Sequence, residues 1–290
     1  MTEQEVLDAR LTYYCQPVYD CRTGCTSKGE LLLRAYGPDG EFYPTQEFIQ
    51  AAEAHGLIAG LDLQALRHAC GILRRHHGSS VTQLGVNFSA VSCRIPDFAR
   101  QADAILREYR DVCERLVVEV TETAPGDRDP QMQDTLERVR RSGALIAIDD
   151  FGKDHAGITR ILDLPFDYLK LDKWLVERCG REQMAEVVTR CLVAAMNEAY
   201  KSVVAEGVET LEQARQMERM GVRYLQGYYY SPPVPEKEFL SELERRHPEG
   251  REAKPPGKGR GGRWKQHLQV QSIRDREKYA ERGVLLWEKH

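Results

Sequence analysis

The chain has 290 residues, of which 41% are hydrophobic and 30% charged, and its formal net charge is −4. This composition is typical of a globular protein with a substantial apolar core, and it excludes disorder throughout the chain. The first ten residues, MTEQEVLDAR, lack the basic and then apolar pattern of a secretory signal, and no apolar run is long enough to span a bilayer. We therefore expect a cytoplasmic protein without a transmembrane segment.

The charge is distributed unevenly along the chain. Residues 251–290 contain 11 Lys and Arg against 5 Asp and Glu, a balance of +6 that leaves −10 for residues 1–250. From about residue 247 the sequence is rich in Pro, Gly and basic residues, as flexible linkers are, and one charged helix is predicted beyond it. We therefore predict a folded domain over 1–248 and a basic tail over 249–290. The tail is suited to an acidic partner, or it is a solubilising extension.

Short β-rich apolar runs alternate with segments at helical spacing from about residue 11 to 235, which is typical of βα units around a parallel sheet. Eight strands are predicted, at 11–18, 29–35, 83–90, 115–121, 144–150, 167–172, 202–207 and 222–227. Helices are predicted at 45–56, 62–76, 131–141, 183–199, 210–220 and 237–246. Eight strands with intervening helices favour a closed (β/α)8 barrel over an open sheet.

The connection between the first two predicted strands is unusual for such a barrel. It has only about ten residues, YDCRTGCTSK, which is too few for a crossover helix but enough for a hairpin. The first strand should therefore run antiparallel to the second. The predicted fold is a modified TIM (β/α)8 barrel.

Polar residues interrupt nearly every apolar strand, and in a barrel such residues project into one mouth. They are Glu30, Asn87, Glu119, Asp149, Asp150, Lys170, Glu206 and Gln226. A single buried carboxylate in a strand is usually a structural hydrogen-bond acceptor. Several carboxylates that converge would repel one another and become protonated unless cations compensate them.

The chemistry of this set favours divalent metal ions. All-oxygen ligands without His or Cys suit Mg²⁺ or Mn²⁺ rather than zinc. One ion is expected on Glu30, Asn87, Glu119 and Asp149, and a second on Asp149, Asp150 and Glu206. Two such ions would activate a water for attack on a phosphodiester. Lys170 would offset charge on phosphoryl oxygens, or it is simply a salt bridge that neutralises the carboxylates.

The chain resembles the EAL-domain cyclic di-GMP phosphodiesterases over roughly residues 8–245. Each motif alone is weak, but their order and spacing together are specific. The motifs read YCQPVYD (14–20), GELLLRAY (29–36), FIQAAEAHGLI (48–58), VNFSA (86–90), VEVTET (118–123), AIDDFG (147–152), LPFDYLKLD (164–172), VVAEGVET (203–210) and LQGYYYSPP (225–233).

The resemblance implies a metal-dependent hydrolase that opens one phosphodiester of cyclic di-GMP to give linear pGpG, in bacterial second-messenger signalling. It also implies a homodimer and two bound ions, Mg²⁺ or Mn²⁺. The metal ligands that it implies are Glu30, Asn87, Glu119, Asp149 and Asp150. The catalytic residues that it implies are Lys170, Asp150 and the general base Glu206.

The resemblance extends to residues around the metal site. The positions implied to contact substrate are Gln16, Leu32, Arg34 and Gln226. Supporting roles are implied for Glu122, Asp172 and Glu209.

Two features depart from the family pattern. The namesake triplet is Glu30-Leu31-Leu32, with leucine in place of alanine; Leu31 should point away from the Glu30 face and pack under a helix. The loop after Gly152 reads Lys-Asp-His-Ala-Gly, at 153–157, where the family usually has Thr-Gly-Tyr-Ser-Ser. We expect this change to affect metal binding or the dimer.

Two rival functions remain open from the sequence. The first is a catalytically weak or inactive barrel that serves as a cyclic di-GMP receptor or a protein-interaction module, which the altered loop favours. The second is an unrelated barrel metalloenzyme acting on a small carbonyl substrate. The intact carboxylate and lysine positions favour the hydrolase.

Overall fold

The computed structural model describes residues 1–76, 81–120, 129–153 and 159–246. Ten strands occur in these ranges. They are β1 (Arg10–Asp20), β2 (Cys25–Tyr36), β3 (Phe42–Tyr43), β4 (Gln83–Phe88), β5 (Leu116–Val120), β6 (Leu145–Phe151), β7 (Tyr168–Leu171), β8 (Ser202–Ala205), β9 (Tyr224–Leu225) and β10 (Val234–Pro235).

Eight of the strands close into a barrel. Strands β2, β4, β5, β6, β7, β8 and β9 pair in that order, each parallel to the next. Strand β1 is antiparallel to both β2 and β9 and closes the circle. The two-residue strand β3 pairs with the C-terminal end of β2, and the two-residue strand β10 pairs with the middle of β1. The modified TIM barrel with an antiparallel first strand is confirmed.

Helices cover the outside of the barrel. In the described ranges they are α1 (Glu3–Leu7), α2 (Thr45–Ala54), α3 (Ile58–Arg75), α4 (Ala90–Cys93), α5 (Pro96–Glu108), α6 (Pro130–Arg141), α7 (Thr159–Asp163), α8 (Lys173–Cys179), α9 (Gln183–Glu198), α10 (Leu211–Arg219) and α11 (Glu236–Arg246). None of them is both long and apolar enough to cross a bilayer. The predicted tail, 249–290, lies outside the described residues.

Local sequence explains where these helices begin and end. Thr210 caps α10 in a capping box with Gln213, and Gly221 follows its end at φ +89°. Helix α5, which the sequence analysis did not predict, begins with a proline at its first position and buries Phe98, Ala102 and Ile105 on one face. Its buried residues recur at helical spacing, so the signal for this helix is present in the sequence.

The main core lies between the strands and this helical layer. All five residues of β5 are buried, and the outward-facing Val118 and Val120 join the apolar cluster. Leu31 is 3% exposed and belongs to the same cluster as Leu66 of α3, as expected for a residue that points outward from β2. Because side chains alternate along each strand, the residues between these outward-facing ones point into the barrel interior.

Candidate active site

A buried lysine lies among four carboxylates at the mouth of the barrel. The Nζ atom of Lys170, in β7, is 3.2 Å from Glu30 Oε2, 3.1 Å from Asp149 Oδ1 and 2.8 Å from Glu206 Oε1, and it also contacts the carboxylate of Glu119. Four different parts of the barrel supply these acids: β2, β5, β6 and the residue after β8. The Lys170 side chain is 4% exposed.

Strand register explains why the acids meet. Asn87 of β4 pairs with Glu119 of β5, and Glu30 of β2 pairs with Gly85 of β4. Side chains of a strand alternate between the two faces of the sheet. Glu30, Glu119, Asp149 and Lys170 each lie on the face of their own strand that points into the barrel interior. The interruptions of the apolar runs seen in the sequence are therefore one spatial cluster.

The cluster has more negative than positive charge. Four carboxylates face one ammonium group, a formal balance of −3. Burial, reinforced by Glu30, raises the pKa of Glu119 to about 8. Burial and neighbouring acids also raise the pKa of Asp149 and Glu206 above their ordinary values. These groups ionise together only if further positive charge is supplied.

Two members of the cluster are held in their charged forms. Burial opposes the ionisation of Glu30, but Lys170 and hydrogen bonds from Asn87 and Gln226 outweigh it and lower the pKa of Glu30. Burial likewise opposes the charge of Lys170, and the surrounding carboxylates outweigh it and raise the pKa of Lys170 well above its usual value. Lys170 therefore remains a cation and cannot act as a base at neutral pH.

The carboxylates form two groups with spacing suited to metal ions. Oxygens of Glu30, Glu119 and Asp149 lie within 4.8 Å of one another, and so do oxygens of Asp149, Asp150 and Glu206. Asp149 is common to both groups. The oxygen-only donor set and the uncompensated charge fit hard divalent cations such as Mg²⁺ or Mn²⁺.

Asn87 lies beside the first carboxylate group. Its Nδ2 atom donates a hydrogen bond of 2.8 Å to Glu30 Oε1. In this geometry the amide holds a carboxylate in place, and its own oxygen remains a further ligand of the kind that hard cations accept. Asn87 thus lies beside the carboxylates that the sequence predicted as its fellow ligands of the first ion.

Asp150 and Lys153 lie at the edge of the second group. Asp150 has a left-handed backbone, at φ +56°, and its N–H donates to Asp149 Oδ1 at 2.9 Å. The ammonium Nζ of Lys153 is 4.0 Å from Asp150 Oδ2. The first residue of the altered loop therefore places a cation next to a candidate ligand of the second ion; residues 154–158 lie outside the described ranges.

The positions expected to contact substrate lie around the same mouth. Gln226 Nε2 donates to Glu30 Oε2 at 2.8 Å and to Gln16 Oε1 at 3.1 Å. Leu32 and Arg34 follow Glu30 on the same face of β2, and both are half-buried. The guanidinium carbon of Arg34 is 5.4 Å from the centre of the Tyr14 ring. Burial lowers the pKa of Arg34, which nonetheless stays charged.

Two of the three expected supporting residues lie in the described ranges. Burial, with Asp172 contributing, raises the pKa of Asp150, so Asp172 lies near the second carboxylate group. Asp172 caps α8, accepting a hydrogen bond of 2.7 Å from the backbone N–H of Trp174. Glu209 is half exposed and accepts from Lys173 Nζ at 2.6 Å, outside the carboxylate cluster. Glu122 lies outside the described residues.

Two glycines that the sequence analysis did not single out shape the site. A Cβ atom on Gly85 would overlap the carboxylate of Glu119, so glycine leaves the space in which Glu119 reaches Lys170. Gly207, directly after Glu206, has φ +59° and packs against the side chain of Lys173. A glycine inside a predicted strand, two residues before Asn87, is the signal that would have identified Gly85.

A modified (β/α)8 barrel with clustered acids around one mouth defines a TIM-barrel protein with a candidate site for divalent cations. A family model described as the EAL domain matches residues 2–233. The chain belongs to the EAL domain family.

Curated relatives and solved structures agree with this assignment. The chain is 32% identical over 231 residues to cyclic di-GMP phosphodiesterase PdeL of Escherichia coli K12, covering 79% of this chain and 64% of that protein. It is 31% identical over 239 residues to cyclic di-GMP phosphodiesterase NbdA of Pseudomonas aeruginosa, covering 80% and 30% respectively. The chain thus spans less than two thirds of the length of these relatives.

Among solved structures, an EAL domain protein from Listeria monocytogenes EGD-e superposes with a TM-score of 0.74 at 22% identity, covering 83% of this chain and 97% of that one. The PaMucR phosphodiesterase in complex with c-di-GMP superposes with a TM-score of 0.70 at 26% identity, covering 79% and 94%. The first of these supports the fold alone.

Proposed function

We propose that this chain is a phosphodiesterase that hydrolyses cyclic di-GMP to linear pGpG with two bound Mg²⁺ or Mn²⁺ ions. The observation that carries the proposal is the convergence of Glu30, Glu119, Asp149 and Glu206 on Lys170. Relatives at about 30% identity that are named cyclic di-GMP phosphodiesterases support the choice of substrate.

The proposed roles divide between the two carboxylate groups. Glu30, Asn87, Glu119 and Asp149 would hold the first ion, and Asp149, Asp150 and Glu206 would hold the second. When bound, the ions supply the charge that makes a water nucleophilic and the phosphodiester electrophilic. Glu206 accepts the proton of the attacking water as general base.

Lys170 and the residues around the mouth orient the substrate. The ammonium group of Lys170 is fixed by the carboxylates and offsets negative charge that grows on the phosphoryl oxygens. Arg34, Gln16 and Leu32 lie around the same mouth, where they would contact the nucleotide. Gln226 holds both Gln16 and Glu30 by its amide.

The decisive experiment incubates purified protein with cyclic di-GMP and Mg²⁺ or Mn²⁺ and measures the linear dinucleotide by chromatography. We expect product from the wild type and none from Glu30→Gln, which preserves side-chain volume but removes the charge. Glu137→Gln is the matched control, because Glu137 pairs with Arg141 on the surface of α6, away from the carboxylate cluster. Wild-type protein that binds both metal and nucleotide without turnover contradicts the proposal.

A receptor function is the second candidate, and one observation favours it. Lys153 lies 4.0 Å from Asp150 Oδ2, where it competes with the second ion. A barrel that holds nucleotide and a single ion would recognise cyclic di-GMP without cleaving it. Tight binding by calorimetry, with no product after prolonged incubation in saturating Mn²⁺, would identify this function.

We further propose that the protein is a homodimer that uses α9. Met184 and Val188, four residues apart on this helix, are 71% and 54% exposed, and Cys191 continues the same exposed stripe. A second copy of the chain would cover this apolar surface. Light scattering should give twice the monomer mass for the wild type and the monomer mass for Val188→Glu.

We also propose that the catalytic unit ends at about residue 248 and that 249–290 form a separate region. The family match ends at residue 233, and the last described helix ends at Arg246. A chain truncated after residue 248 should keep the melting temperature and the phosphodiesterase rate of the full chain.

A further inference from the structure

A second polar layer lies inside the barrel, below the Lys170 cluster. The Nζ atom of Lys28 donates hydrogen bonds to Gln83 Oε1 at 2.5 Å, to the hydroxyl of Tyr168 at 2.9 Å and to the hydroxyl of Tyr224 at 3.0 Å. The Tyr168 hydroxyl donates to the same Gln83 oxygen at 2.7 Å. An ammonium group has three hydrogens, so side chains of three other strands satisfy Lys28 completely. These four residues are the floor cluster.

A cavity of about 40 Å³ separates the floor cluster from the Lys170 cluster. Polar groups line it at both ends: Glu119, Lys170 and Gln226 above, and the floor cluster below. The space exists because the strands supply small or short side chains at the level between, namely Gly85, Val117, Ala147 and Val204. A water needs about 10–15 Å³ of such volume and two to four polar partners, so the cavity is large enough for at least one.

Gln226 provides an acceptor without a partner at the upper end of this cavity. Its side chain is buried, with 3% exposure. Both hydrogens of its Nε2 atom are used, by Gln16 Oε1 and Glu30 Oε2, which also fixes which end of the amide is the oxygen. Its Oε1 atom is buried and has no hydrogen-bond partner in the part of the chain that the structure describes. A buried carbonyl oxygen in this state destabilises the fold.

We propose that the cavity is an internal water site, in which an ordered water donates a hydrogen bond to Gln226 Oε1 and makes a second to the floor cluster, at the hydroxyl of Tyr224. The water fixes the amide of Gln226 from below, while Glu30 and Gln16 fix it from above. Gln226 and the floor cluster are thereby positioning residues for Glu30. Only this last step rests on the proposed function, in which Glu30 is a metal ligand.

Crystallography of the metal-bound protein gives the first test. We expect a peak of electron density inside the cavity, within hydrogen-bond distance of Gln226 Oε1. A cavity without density, in a map that shows other buried waters, overturns the proposal.

The Ala147→Val variant gives the second test, because filling a wet cavity and filling a dry one change stability in opposite directions. Ala147 is 1% exposed and lines the cavity. Valine would displace the water and leave Gln226 Oε1 without a partner, so we expect the melting temperature to fall by about 3–8 °C. Mg²⁺ affinity, measured by calorimetry, should fall by about 10-fold, because Glu30 loses its support. A dry cavity would instead give a higher melting temperature and unchanged affinity, which would refute the water site.

The melting temperature of Ala147→Val could also fall because valine crowds its neighbours. Repeating the substitution in a Gln226→Met background distinguishes this steric effect from loss of the water. Methionine has no carbonyl to satisfy, so there Ala147→Val should leave the melting temperature unchanged or raise it. The same loss in both backgrounds would mean steric strain and would overturn the proposal. Neither the electron-density test nor the melting-temperature test uses cyclic di-GMP. Both tests of the water site therefore remain valid even if the protein proves not to be a phosphodiesterase.

Discussion

The ammonium Nζ of Lys170 lies 2.8 Å from Oε1 of Glu206. Glu206 belongs to the second carboxylate group, whereas Glu30, also within 3.2 Å of the same ammonium, belongs to the first. One lysine therefore links both candidate metal positions. The charge of each group depends on the other, because any movement of Lys170 toward one leaves the other less compensated.

Lys170→Met tests how far this lysine supports the fold. Removing this ammonium group leaves three buried carboxylates and the partly buried Glu206 without the cation that they share, and losing one partner of a buried ion pair typically costs about 3–5 kcal/mol. We expect a large fall in the free energy of unfolding in EDTA and partial recovery in saturating Mg²⁺, measured by urea denaturation. Lys173→Met, which removes a half-exposed pair with Glu209, should change stability by about 1 kcal/mol or less.

Lys153→Thr should strengthen binding of the second ion. The lysine ammonium is 4.0 Å from Asp150 Oδ2, and a half-exposed pair of this kind is worth about 0.2–1 kcal/mol, or up to roughly 5-fold in affinity. Titration with Mn²⁺ followed by electron paramagnetic resonance should show tighter binding at the weaker of the two sites and unchanged binding at the stronger one. Lys237→Thr, on α11, is the control for loss of a surface charge. Weaker binding in Lys153→Thr would mean that the lysine supports the site.

Asp62→Asn should remove part of the pH dependence of stability. Burial raises the pKa of Asp62 to about 7, from about 3.9 in an unfolded chain. Below about pH 4 the carboxyl is protonated in both states and has no effect. Between pH 4 and 7 the unfolded chain loses the proton first, so the free energy of unfolding falls with rising pH, by about 2–4 kcal/mol, and stays lowered above pH 7.

The measurement for Asp62 is urea unfolding of both proteins at several pH values between 4.5 and 7.5, in saturating Mg²⁺. Asparagine keeps an oxygen that accepts the 2.8 Å hydrogen bond from the Ser89 N–H. The difference in stability between variant and wild type should therefore grow in favour of the variant as the pH rises. A difference independent of pH would contradict the raised pKa.

Gly207→Ala should disturb Glu206 more than backbone strain alone explains. Gly207 has φ +59°, and an added Cβ atom would overlap the side chain of Lys173. Gly56 has φ +72° with open space around it, so Gly56→Ala carries only the strain of about 1–2 kcal/mol. We expect a similar or larger loss of stability in Gly207→Ala and, in that variant alone, weaker binding of the second Mn²⁺. Equal metal affinity in the two variants would show that Gly207 does not position Glu206.

The sequence predicted the barrel because its signals are local. Each strand is a short apolar run. The ten residues between the first two predicted strands are too few for a crossover helix, so the length of this connection alone predicted an antiparallel first strand. Alternation along each strand also placed Glu30, Glu119, Asp149 and Lys170 on the inner face. The helix from Pro96 was missed although its buried residues recur at helical spacing, so its local signal was available in the sequence.

Only the tertiary structure decided how the inner residues meet. Register between strands and the path of each side chain depend on packing across the barrel, which no single segment encodes. These features made Lys170 the centre of four acids, left a cavity beside Gln226, whose Oε1 has no partner among the described residues, and directed Glu209 to Lys173 instead of the cluster. Alternation fixes which face a residue occupies, whereas distances across a barrel are set by all eight strands together.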